Sequence, residues 1–174
     1  MQGNNVGRLV LLCGLLVPLA TFALTSDREQ PIHIEADTVT LDDAAGTAVY
    51  RGNVHFTQGT THLEGDEVTV YSADRQKVDK VIADGSPATF SERPDDQPED
   101  VHGKARHIEY YADNQRVILV HDAHLWQGKD EFSGSRIDYN ISDQTVKAQS
   151  DQAPGRVQVI IQPRPAPDNK APTQ

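Results

Sequence analysis

Cysteine and methionine occur once each in this 174-residue chain, at Cys13 and Met1, both in its opening segment. Everything beyond residue 23 is therefore without thiol or disulfide chemistry, and its stability must come from packing. Cations are scarce too: 16 Lys and Arg stand against 26 Asp and Glu, a formal charge of −10. With no basic cluster in that balance, nucleic acid is excluded as a partner, because its phosphates need cations to meet them. No window of useful length keeps a helical period, and apolar runs end at Leu19. Also missing are a Gly-x-Ser-x-Gly elbow, a phosphate loop and a dinucleotide fingerprint, so no motif points to an enzyme or to a cofactor.

Residues 1–23 read as a cleavable signal peptide. Arg8 is the one charge before the apolar run Leu9–Leu19, and Thr21-Phe22-Ala23 places small residues where a peptidase needs them. Even carried on to Leu24 the run is about 16 residues, short of the roughly 20 that a membrane span requires. Leu12 stands before Cys13 where a lipoprotein signal needs a small residue. Cleavage near Ala23 takes the charge to −11, since Arg8 is the only ionic side chain removed. About 150 residues remain, enough for one domain with its own core.

What the chain has is alternation. The stretch from Tyr50 to Tyr71, YRGNVHFTQGTTHLEGDEVTVY, is two strands and a turn. Its second half, Leu63 to Val70 with Gly65 inside, returns as Ile34 to Leu41 around Ala36, as Phe132 to Tyr139 around Gly134, and in a longer form from Val101 through Gly103 to Tyr110. A phrase recurring every thirty residues or so implies stacked supersecondary units. Its small residue marks a bulge or a sharp corner. Gln58-Gly59 and Gln127-Gly128 end two further matching strands, where glycine supplies the positive φ of a hairpin. The chain is thus read as an antiparallel succession of hairpins. Asp42–Gly46, Asp74–Gln76 and Ala112–Gln115 are turns, Arg93–Asp100 is an exposed loop, and Arg156–Ile161 is a last strand. The Pro-rich tail, 163–174, is too polar and too proline-rich to pack.

Alternation points one set of side chains inward: Val39, Leu41, Val54, Phe56, Leu63, Val68, Val70, Ile108, Leu119, Leu125 and Tyr139. By itself this describes the filled core of any β-sandwich. Seven histidines invite a metal, but His121 and His124, three apart on a strand, face opposite sides unless a bulge intervenes. Paired carboxylates such as Asp42-Asp43 and Asp95-Asp96 fall in turns, where Asp suits the backbone. Arg106, Arg116 and Arg136 are single surface charges.

Four runs in order, QPIHIEAD from Gln30, GNVHFTQGT from Gly52, GDEVTVY from Gly65 and GSPATF from Gly85, resemble the OstA-like family of periplasmic lipopolysaccharide-transport proteins. The resemblance covers about Leu24 to Ile161. It implies a twisted, half-open antiparallel β-jellyroll of about 16 strands over residues 24–162, periplasmic and without catalysis, cofactor or metal. It implies an apolar interior that shelters the acyl chains of lipopolysaccharide. The family's lipid-contacting positions fall on Ile32, Ile34, Phe90 and Tyr110, which join the inward Val54, Phe56, Val68, Val70, Ile108, Leu119, Leu125 and Tyr139 as candidate groove residues. It also implies self-association edge to edge, with inner-membrane LptC and outer-membrane LptD as end partners. The alternatives from other classes are a secreted carbohydrate-binding or adhesive β-sandwich and, below it, a jellyroll hydrolase.

Overall fold

The computed structural model describes residues 27–73, 77–95, 97–151 and 155–163. The leader at 1–23, the turn at 74–76 and the tail beyond Pro163 lie outside them. After a single 3-10 turn at Asp27–Glu29 the described chain is all β: β1 (Ile32–Glu35), β2 (Thr38–Asp42), β3 (Thr47–Gln58), β4 (Thr61–Tyr71), β5 (Lys80–Glu92), β6 (Val101–Tyr111), β7 (Arg116–Gln127), β8 (Asp130–Asn140), β9 (Thr145–Gln149) and β10 (Gln158–Ile160). Every pairing is antiparallel, in the order β1-β3-β4-β5-β6-β7-β8-β10, with β2 also on β3 and β9 also on β8. The path has two ends and does not close into a barrel.

Each of the six long strands is bent in its middle. Register slips between Arg51 and Val54, Glu64 and Glu67, Asp84 and Ala88, Lys104 and His107, and Val120 and Ala123, so the bulges form one line across the sheet. That line folds the sheet into two facing leaves. Leaf I holds β1, the segments 54–58, 61–65, 88–92, 101–105, 123–127 and 130–134, and β10. Leaf II holds β2, the segments 47–51, 67–71, 80–84, 107–111, 116–120 and 136–140, and β9. The expected sixteen strands are therefore ten hydrogen-bonded ones. Counting both halves of the six bent strands with the four short ones restores sixteen segments.

The corners explain the small residues. A Cβ on Gly65 would stand 2.7 Å from the Asp84 carbonyl oxygen, and one on Gly134 would stand 2.6 Å from that of Gln149. In both cases the obstacle is the backbone of the neighbouring strand, which cannot step aside alone. Ala36 sits at the same level, between β1 and β2. Gly103 does not: it pairs with Phe90 and Leu125 inside leaf I, and the corner of β6 falls at Ala105-Arg106. Gly134→Val should lower stability by about 1–3 kcal/mol through forced separation of β8 and β9, read as a drop in urea midpoint. Gly103→Ala meets only the movable Leu119 Cδ2 and should cost less. Equal midpoints for Gly134→Val and the parent would remove the corner argument.

Inward residues of both leaves form one apolar cluster running from Val54 and Phe56 through Val68, Val81, Phe90, Ile108, Tyr110 and Leu119 to Leu125, Ile137 and Tyr139. Val39 and Leu41 are an exception to the expected inward set. Register places them beside Tyr50 and Ala48 on the inner face of leaf II, yet they are 52% and 67% exposed, because among the described residues no strand pairs on the far side of β2.

Candidate functional site

The candidate groove residues separate into three zones. At the β1–β2 end, Ile32 and Ile34 on one leaf face Leu41, Ala48, Tyr50 and Val70 on the other around an open apolar cavity of about 350 Å³. At the opposite end Leu125 and Tyr139, with Val101, Phe132 and Val146 and the polar Gln127, Asp130 and Gln144, line a second opening of about 170 Å³, to which Trp126 also contributes. Between the mouths Val54, Phe56, Val68, Phe90, Ile108, Tyr110 and Leu119 are 0–2% exposed and pack on one another, with the Phe90 and Tyr110 rings stacked at 6.2 Å. The interior thus has a largely apolar mouth at the β1–β2 end and a mixed one at the other, joined by a closed stretch lined by aliphatic side chains and aromatic rings. Such a lining offers dispersion and exclusion of water.

Alternation did not single out the mouth residues Ala48, Tyr50, Phe132 and Val146, although each keeps the inward phase of its strand. It also missed the polar side chains on the inner wall of leaf I. Gln58, Thr61 and Glu92 are buried at the rim of that leaf, Thr61 Oγ1 donating to Glu92 Oε2 at 2.8 Å and Gln58 Nε2 to the Gln30 carbonyl at 3.2 Å. A legible signal existed for Gln58, which follows Val54 and Phe56 in phase. Burial, with the Glu92 charge second, pushes the Tyr139 phenol up to about 12, so its hydroxyl stays neutral across the working pH range.

The edges of the sheet are its most exposed apolar surface. Val39 and Leu41 on β2, with Ile32 on β1, mark one edge; Val159 and Ile160 on β10, with Ile161 beyond it, mark the other. All of β2 and β10 is exposed. Bare apolar edges of this kind are usually blunted in isolated proteins.

Apart from Glu92, and from Asp42, Asp43, Lys77 and Asp130 at the mouths, the charges lie outside. Arg116 holds Asp138 through both Nε, at 2.7 Å, and a second guanidinium nitrogen, which keeps that carboxyl below its ordinary range. Arg106 Nε donates to Asp122 at 2.8 Å. His121 does sit in a bulge, with a φ of +64°, but among the described residues no three His, Cys, Asp or Glu converge on a metal position. His107 lies on the outer face of leaf II, its Nδ1 2.7 Å from Asp84 Oδ1 and its Nε2 3.3 Å from Glu109 Oε1. Partial burial opposes charge on this ring, but the two carboxylates outweigh it and raise its pKa above 6.5. Only the protonated ring donates from both nitrogens. Its contribution is fully present below the unfolded-state value and is lost as pH climbs through the raised one. His107→Gln should therefore cost on the order of 1 kcal/mol near pH 5.5 and progressively less on the alkaline side of neutrality, as measured by denaturant midpoints across pH. A gap that widens with pH would contradict this.

Residues 33–145 match the family model described as LptA/(LptD N-terminal domain) LPS transport protein. The lipopolysaccharide export system protein LptH of Pseudomonas aeruginosa is 35% identical over 168 residues, covering 91% of this chain and 96% of the relative. LptA of Escherichia coli K12, also named a lipopolysaccharide export system protein, is 35% identical over 157 residues, 89% and 84% of the two chains. A crystal structure of LptH, described as the LptA-homologous periplasmic component of the conserved lipopolysaccharide transport device of Pseudomonas aeruginosa, superposes with a TM-score of 0.72, covering 80% of this chain and all of that one. By sequence over most of its length and by fold, the chain belongs to the family of LptA and LptD N-terminal-domain lipopolysaccharide transport proteins.

Proposed function

We propose that this protein is a periplasmic carrier that holds lipopolysaccharide by its acyl chains in the interleaf groove and passes it from copy to copy along a bridge between the two membranes. The observation that carries the reading is the pair of mouths into an apolar interior, one beside each unpaired edge of the sheet. Both the ligand and the chain are anionic, so attraction has to come from hydrocarbon. At roughly 0.8 kcal/mol per sheltered CH₂, ten methylenes supply about 8 kcal/mol before the costs of association. The groove is assigned to Ile32, Ile34, Val54, Phe56, Val68, Val70, Phe90, Ile108, Tyr110, Leu119, Leu125 and Tyr139, with the mouths open at rest and the middle parting as a chain enters. Unlike edges that meet extend a chain instead of closing a ring. The β1–β2 edge of one copy would take the β9–β10 edge of the next, with LptC and LptD domains at the two ends. The folded unit is residues 24–162, delivered by removal of 1–23, and no step of the carriage is catalytic.

Photo-crosslinking in cells tests this. A photoreactive residue at Ile32 in one mouth or at Phe132 in the other should capture lipopolysaccharide, and one at Thr69 on the outer face of leaf II should not. Capture at Thr69 with none at either mouth would overturn the interior route.

A further inference from the structure

Strand register sorts the histidines by face. His33, His62 and His102 lie in one outward row of leaf I, each two strands from the next and so roughly 10 Å apart. His55 and His124 lie in the adjoining outward row. Five of the seven histidines of the chain thus share one face, whereas the outer face of leaf II presents His107 and His121 stands at the corner. Trp126, the only tryptophan, follows His102 in its row; the two rings stack at 5.3 Å, and His124 meets the indole edge-on at 5.1 Å.

The other charges on this face are few: Glu35, Glu64 and Glu131 against Lys104. Glu64 Oε1 stands 3.1 Å from His55 Nδ1 and Glu131 Oε2 3.5 Å from His124 Nε2; His62 meets the Thr57 hydroxyl at 3.2 Å, and Lys104 lies beside Thr89 and His124. Three carboxylates and one ammonium make −2 with neutral imidazoles and +3 with all five protonated. Histidine is the side chain that changes charge between about pH 5 and 8. Each proton these imidazoles take up thus moves the face from net negative towards net positive while the chain as a whole stays acidic.

We infer that the outer face of leaf I is an acid-dependent docking surface for an anionic lipid bilayer. The histidines are spread at repeating intervals across the adjacent strands β1, β3, β4, β5, β6 and β7, which complements a plane of lipid phosphates better than a single small anion. Trp126, apolar in body and polar at its N–H, is the residue type that settles at a membrane interface. The interleaf groove opens on the other side of the same strands, and only Trp126 also reaches the lining of its second mouth.

The test is co-sedimentation of the mature protein with vesicles of equimolar phosphatidylglycerol and phosphatidylcholine, and with phosphatidylcholine alone, at low salt. Affinity for the anionic vesicles should rise about tenfold or more between about pH 7.5 and about pH 5.5, and Trp126 emission should shift when they are added. The triple variant H33Q/H62Q/H102Q replaces exposed or half-exposed side chains, keeps the fold, and should lose the acid-dependent gain. H107Q/H121Q should retain it. Binding without pH dependence, equal binding to the neutral vesicles, persistence in the triple variant, or acid-driven self-association that pellets without lipid would each overturn the inference.

Discussion

Ile34→Asp is expected to abolish lipopolysaccharide uptake while leaving the folded protein intact. Ile34 packs against the core from the half-buried rim of the β1–β2 mouth, so an aspartate there keeps access to water in the empty protein. An entering acyl chain would have to strip that carboxylate of solvent with no cation supplied in return. Several kcal/mol of desolvation oppose it, enough to weaken binding by more than a hundredfold. The same charge at Phe90, 2% exposed and stacked on Tyr110, would unfold the core and report only on stability. Ile34→Val keeps the mouth apolar and should bind nearly as the parent does. Lipopolysaccharide capture assayed beside a thermal melt separates these cases. Full capture by a folded Ile34→Asp protein would place the acyl chains elsewhere.

The reason such a substitution can be chosen is that much of the interior was legible before the fold. Local alternation placed Val54, Phe56, Val68, Val70 and Ile108 inward because each half-strand obeys a period of two, and the family resemblance added Tyr110. A period carried straight through a strand would have failed: β4 points Leu63 inward before its corner and Val68 after it, a change of phase made by the extra residue at the bulge. Gly65 and Gly134 announced that change because neighbouring backbone excludes a side chain there. At Gly103 the same sign misled, since that glycine answers to Leu119 packing inside the leaf, and Ala105 is small enough to take the corner. Strand order and exposure were not local properties. Val39 and Leu41 read as core residues and stand in solvent because they sit on an edge, which depends on what the rest of the chain fails to cover. The histidine face was hidden for the same reason. His33, His62 and His102 are far apart in sequence and become a row only through the pairing of β1, β3, β4, β5 and β6.

Those uncovered edge residues carry the second large effect. If copies join edge to edge as proposed, Val39→Lys with Leu41→Lys should hold the protein monomeric at concentrations where the parent assembles, without lowering its melting temperature. Both side chains are more than half exposed in a single copy, so little packing is lost within it. At an edge-to-edge contact they would be covered, each contributing about 1–2 kcal/mol, and the two lysines would add desolvation and mutual repulsion. The sum corresponds to a rise in dissociation constant of roughly a hundredfold or more. Sedimentation velocity over a concentration series measures it. The complementary change, Val159→Lys with Ile160→Lys on β10, should act equally, because a contact between unlike edges loses its partner whichever side is altered. Mixing settles the polarity. A β2 variant retains its β9–β10 edge and a β10 variant retains its β1–β2 edge, so the two together should form a dimer that grows no further. If each variant alone still builds chains, or the mixture behaves as two monomers, assembly does not run through these edges.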